Sequence, residues 1–112
     1  MKHNIDGQSA EQAVIKLLDK SGYKVLDHNW KTPKCEIDIV AKKDKCIYFV
    51  EVKFRTNPDQ GEGFDYITPG KLRQMSYAAV VWVAQNKWDG EYCLSAASVS
   101  GEDFKIDFIE QV

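Results

Sequence analysis

Cys35-Glu36-Ile37-Asp38-Ile39-Val40-Ala41-Lys42-Lys43-Asp44-Lys45-Cys46-Ile47-Tyr48-Phe49-Val50-Glu51-Val52-Lys53-Phe54 holds two apolar runs of strand length separated by three polar residues. Their β-branched and aromatic content predicts strands over 35–42 and 46–54, and the short Lys43-Asp44-Lys45 connection predicts an antiparallel hairpin. Both strands carry charges where a core would carry valine. Burying an unpaired carboxylate or ammonium costs several kcal/mol, so about three such groups at matched alternation point to a site whose charges something else compensates.

Side chains at i and i+2 share one face of a strand, so Glu36 projects with Asp38, and Glu51 with Lys53. If the hairpin brings the faces together, Asp38 and Glu51 can offer oxygens to Mg2+ or Mn2+, hard ions that prefer carboxylate, carbonyl and water. The backbone carbonyl of Val52 is a further candidate ligand. Lys53, about 7 Å along the strand from Glu51, can position a metal-bound water or stabilise charge developing on a phosphate.

On the N-terminal side, Ser9 and Gln12 have capping-box spacing, and Ala10, Ala13, Val14, Leu17 and Leu18 recur at helical intervals up to Gly22, a natural stop. Glu11 lies one step from this apolar stripe, able to reach the same metal. A strand is expected from Tyr23 to about Trp30. On the C-terminal side, Asn57 to Gly63 has loop composition, suited to substrate contact. Thr68-Pro69 then reads as N-cap and first residue of a second helix ending near Asn86, with Trp82 on its apolar stripe. Strands are expected at about 91–98 and 104–110. The order α-β-β-β-α-β-β predicts an α/β fold, a mixed central β-sheet flanked by helices, and residues 1–112 read as a single domain.

Helix Glu11, Cys35-Glu36-Ile37-Asp38-Ile39-Val40-Ala41 and Tyr48-Phe49-Val50-Glu51-Val52-Lys53-Phe54-Arg55 together resemble the PD-(D/E)xK nuclease superfamily. The resemblance is closest to the small YraN-like endonucleases related to archaeal Holliday junction resolvases, and it covers roughly residues 7 to 85. Cys35 stands where the YraN-like pattern usually has glycine. The resemblance implies a restriction-endonuclease-like core in which Asp38 and Glu51 bind Mg2+ or Mn2+, Lys53 is the catalytic lysine and Glu11 the helix acid. Lys71 and Gln74 match further polar positions that related nucleases aim at the site. The implied partner is nucleic acid, DNA favoured over RNA, and a homodimer is one assembly left open. The same superfamily core also occurs in bacterial toxin nucleases.

Arg55, Lys71 and Arg73 are candidates for phosphate contact, and Trp30, beside Lys31 and Lys34, for stacking on a base. Each feature also has a plainer reading. Glu36 and Asp38 would form a solvated stripe on a one-sided sheet, Glu51 and Lys53 a surface ion pair, and Glu11 a first-turn acid favoured by the helix dipole. His3 and His28 have no Cys or carboxylate at metal-ligand spacing and receive no role.

Fifteen basic against seventeen acidic residues give a net charge of −2, which argues against a nonspecific nucleic-acid coat. The charge is uneven: residues 1–55 carry 11 basic and 8 acidic side chains, residues 56–112 carry 4 and 9. A phosphate-facing surface is therefore expected mainly in the N-terminal half. Three dispersed cysteines fit buried free thiols rather than a disulfide framework or zinc knuckle. With no apolar leader and no stretch long enough to span a bilayer, a cytoplasmic protein without membrane contact is expected.

Overall fold

The structure is a computed structural model that describes residues 7–56 and 63–112. Two helices and five strands follow one another as α1 (Gly7–Lys20), β1 (Lys24–Lys31), β2 (Glu36–Lys43), β3 (Cys46–Arg55), α2 (Pro69–Asn86), β4 (Glu91–Ser100) and β5 (Lys105–Ile109). The expected order is borne out. Residues 57–62 of the anticipated substrate loop, and His3, lie outside the described residues.

All five strands form one sheet in the order β1-β2-β3-β4-β5. β2 and β3 make the expected antiparallel hairpin, closed by Asp44 and Lys45, with Asp44 at φ 56 as tight two-residue turns require. β3 runs parallel to β4 over its whole length, from Cys46 opposite Glu91 to Arg55 opposite Ser100. Glu51 and Lys53 therefore sit on the middle strand of a mixed sheet.

Each face of the sheet is covered by one helix. Ala10, Val14 and Leu18 of α1 are buried with Ile39, Ala41 and Val50, whereas Ala78, Ala79 and Trp82 of α2 are buried with Val40, Ile47 and Phe49. Neighbours such as Ile39 and Val40 go to different clusters because strand side chains alternate, so the helices lie on opposite faces. Burying each large aliphatic side chain here contributes about 1.5–3 kcal/mol. The one-sided sheet considered for Glu36 and Asp38 is thereby excluded.

The helix ends show what local chemistry decides. Gly22, at φ 91, lets the chain turn so that Tyr23 N–H reaches the Leu18 carbonyl at 2.9 Å, a Schellman closure. Thr68 caps α2 as expected, its hydroxyl accepting the Lys71 N–H at 3.1 Å with Pro69 following. The capping box at Ser9 is corrected: α1 already begins at Gly7, so Ser9 lies inside the helix. Glu11 is consequently the fifth helical residue, beyond the first turn where the dipole reading placed it.

All three cysteines are free. Among the described residues, no helix is long and apolar enough to cross a membrane.

Candidate active site

The pairing of β2 with β3 ends at Ile39 opposite Val50. In a hairpin closed by a two-residue turn, continuing that register would bring Val52 opposite Ile37 in a hydrogen-bonded rung. Asp38 intervenes: its carboxylate accepts the Val52 N–H at 2.8 Å. The carboxylate is thus held between two strands, toward the carboxyl end of the parallel β3–β4 pair, where open α/β sheets place their ligand sites.

Asp38 is crowded. Burial, the facing Glu51 carboxylate and, to a lesser degree, Glu11 and Glu36 raise its carboxyl from the usual range to about 7, against the opposing pull of the Val52 N–H. Two elements on opposite faces converge here. From α1, Glu11 turns its Oε1 to His28 Nε2 of β1 at 3.0 Å, both side chains mostly shielded. From α2, Lys71 Nζ meets Glu51 Oε2 at 2.9 Å.

Among the described residues, no three His, Cys, Asp or Glu side chains are gathered into a ready-made metal cage. The donor set still fits one hard divalent cation of the kind that takes one or two carboxylates and keeps its waters. Asp38 and Glu51 are two like charges held close enough to raise one proton affinity by mutual repulsion, and a cation between them relieves that repulsion.

The remaining sequence-predicted residues divide. Lys53 is exposed on the strand face it shares with Glu51, and Gln74 is exposed on α2. Both Lys71 and Gln74 line an open groove of about 760 Å³ between the β1–β2 turn and the first turns of α2, which also reaches Glu51. Glu36 stays at the surface, 4.0 Å from Lys31.

Arg55 is a correction. Only 5 % exposed, it gives its guanidinium to the Asp65 carboxylate and to the Gly63 carbonyl at 3.0 Å, and lies over the Tyr66 ring. It braces the chain leading into α2 and presents no cation to a phosphate. Trp30 packs half-buried against the cluster of Ile37, Val40 and Trp82. Trp82 is core, as expected, with its indole N–H on Asp27 at 2.9 Å.

Two neighbours of the site were not legible in sequence. His28 has no carboxylate at ligand spacing because its partner Glu11 lies on another element. Tyr66 places its hydroxyl 3.4 Å from the Glu51 carbonyl and 3.2 Å from that of Ala97. Burial pushes its phenol upward, and the Glu51 and Asp38 charges add to the effect. Nothing in the turn around it distinguishes it from an ordinary loop aromatic.

The chain is similar to a UPF0102 protein of Flavobacterium psychrophilum, 35% identical over 111 residues that cover 97% of this chain and 93% of the relative. A UPF0102 protein of Vibrio parahaemolyticus is 34% identical over 101 residues, covering 87% and 84%. One of Geobacter metallireducens is 40% identical over 81 residues, covering 72% and 66%. The profile described as "Uncharacterised protein family UPF0102" matches residues 10–110, a span that takes in Glu11, Asp38, Glu51, Lys53 and Lys71. Matched over nearly its whole length, the chain belongs to the UPF0102 family, which bears out the YraN-like resemblance at the level of family.

Proposed function

We propose that the protein is a Mg2+- or Mn2+-dependent nuclease hydrolysing phosphodiester bonds, DNA favoured over RNA, on a restriction-endonuclease-like core. One observation carries the reading. Asp38 and Glu51 face each other where β2 and β3 part, with the Asp38 carboxyl raised to about 7 by burial and by Glu51. A core that merely had to fold would place apolar side chains there.

Asp38 and Glu51 would hold the cation, with the Val52 carbonyl as a further ligand and Glu11 in support. Bound there, it supplies Lewis acidity toward a phosphoryl oxygen and lowers the pKa of a coordinated water. The chain's own groups do the rest. Lys53 sets an exposed ammonium on the Glu51 face, where it orients a nucleophilic water and offsets negative charge growing on the phosphate. Val52 N–H fixes the Asp38 carboxylate, Lys71 steadies Glu51 from α2, and His28 orients Glu11.

A panel of labelled linear and branched nucleic acids incubated with and without Mn2+ tests this. Wild type should cleave only with the ion, and Asp38→Ala and Lys53→Ala should abolish cleavage while melting near the wild-type temperature. Loss of folding in both variants, with no cleavage by wild type, makes the site structural.

A second reading, a noncatalytic module binding nucleic acid or protein, is favoured by one observation: Glu51 and Glu11 are already engaged by Lys71 and His28. Calorimetry separates the two. Mn2+ should give site-specific heat with wild type that Glu51→Gln loses; identical traces favour the binding module.

A further inference from the structure

The groove beside Glu51 carries a surface whose charge opposes that of the chain. Lys31 and Lys34 stand on one wall, at and beyond the end of β1, and Lys71 and Arg73 on the other, on α2. Among the described residues, the lining sets against these four cations two carboxylates, Glu36 beside Lys31 and Glu51 beside Lys71, which leaves the groove an excess of positive charge on a chain of net charge −2. Its β1–β2 wall is built to a shape: Thr32 Oγ1 accepts the N–H groups of Lys34 and Cys35, each at 3.1 Å, pinning the turn that carries Lys34.

The same lining contains Tyr77, about one turn along α2 from Arg73 and so on the same face of the helix, and 50 % exposed. A tyrosine that only served the core would turn inward, as Met75, Ala78 and Ala79 do on this helix. A cationic groove with an exposed aromatic ring is the combination that recognises unpaired polynucleotide: cations follow the phosphates, and the ring stacks on a base. In a duplex the base faces are already covered by their neighbours, so the ring has nothing to stack on.

We infer that this groove seats an unpaired stretch of the nucleic-acid strand, with Lys31, Lys34 and Arg73 along its phosphates and Tyr77 stacked on a base, and leads that strand to Glu51. The inference deepens the nuclease reading and rests on it for the strand's destination, while the seat itself is a matter of binding alone. Lys71, paired with Glu51, lies where groove and acidic site meet.

Fluorescence anisotropy in EDTA, where no cation-dependent cleavage occurs, tests the seat. The probes are a labelled twelve-residue oligothymidylate and a blunt hairpin duplex with the same number of phosphates per strand. The single strand should bind at least about tenfold tighter. Tyr77→Ala should weaken single-strand binding about 5- to 100-fold while Tyr77→Phe stays near wild type, a contrast expected of stacking. Lys34→Ala should lower the slope of log K against log salt by about 0.7, one phosphate's worth on a single strand. Equal binding of oligouridylate supports the same seat, since phosphates and base faces are common to both polymers. Preference for the duplex, or a Tyr77→Ala protein that melts and binds like wild type, overturns the inference. Intact single-strand binding without cleavage in Mn2+ would sink the nuclease reading and leave the seat standing.

Discussion

The carboxylate of Asp38 accepts the backbone N–H of Val52 at 2.8 Å, taking the place of a strand carbonyl at the point where β2 and β3 stop pairing. That bond holds a negative charge inside the sheet, beside Glu51, where burial makes it unfavourable. The fold therefore binds the Asp38 proton more tightly than the unfolded chain does. Between about pH 4 and 7 the native state carries the extra proton, so this group's contribution to stability is greatest below that window. It is lost as pH rises through about 7. Asn keeps an oxygen for Val52 N–H and removes the charge. Asp38→Asn should be more stable than wild type at pH 8, by about 2 kcal/mol after allowance for solvent screening, and nearly equal at pH 4. Urea unfolding at the two pH values checks it; a variant equally destabilised at both would show that the carboxylate is an ordinary structural group.

A cation bound between Asp38 and Glu51 should remove the same penalty. Saturating Mn2+ is expected to raise the wild-type melting temperature at pH 8 and to leave Asp38→Asn nearly unmoved, because only a site present in the native state stabilises by mass action. Thermal melts across a Mn2+ titration read this without any assay of cleavage.

Lys71 contends with such a cation for Glu51, from 2.9 Å away. The pair is partly exposed, which limits its worth to about 1 kcal/mol or less. Lys71→Met should thus tighten Mn2+ binding by only a few-fold while slowing cleavage, as Glu51 loses the group that steadies it. Calorimetry beside single-turnover kinetics separates the two effects; weaker Mn2+ binding would instead make Lys71 a support for the metal site.

Glu11 and His28 form the matching pair on the other face. Outer partners that orient a site carboxylate typically cost about 10- to 100-fold when removed, so His28→Ala should lower cleavage by that order with little change in melting. His28→Gln, which still donates a hydrogen bond, should recover most of the rate. Equal losses in both variants would point to lost packing.

Features written in local pattern were legible in the sequence. The hairpin of β2 and β3 follows from alternation around a short polar connection, Gly22 from its place after the last apolar helical position, and the start of α2 from Thr68-Pro69. Asp38, Glu51 and Lys53 stood out because charges interrupt strands that are otherwise apolar. Features set by tertiary pairing were not legible. His28 gains a role only because β1 pairs beside β2 under α1, and Tyr66 only because the turn before α2 folds over Glu51. The start of α1 differs for a related reason: Ser9 satisfies the chemistry of a cap, yet the chain coils two residues earlier. The basic neighbours of Trp30 suggest base stacking in the sequence, and only the fold shows its strand carrying it against the α2 cluster.

Arg55 gives the sharpest test of that distinction, since by strand alternation it shares a face with Glu51 and Lys53. In the fold its guanidinium is buried and spent on Asp65 and the Gly63 carbonyl, with the Tyr66 ring beneath it and Tyr66 in turn on the Glu51 carbonyl. Arg55→Ala should leave the Gly63 carbonyl short of a donor and loosen the chain entering α2, costing about 2–3 kcal/mol in urea unfolding. Lys cannot reproduce the two-branched contact, so Arg55→Lys should recover little of that loss. The salt dependence of nucleic-acid binding should stay that of wild type in both, because no phosphate contact has been removed. A smaller salt slope with unchanged stability would restore Arg55 to the binding surface and require the side chain to leave Asp65 when nucleic acid arrives.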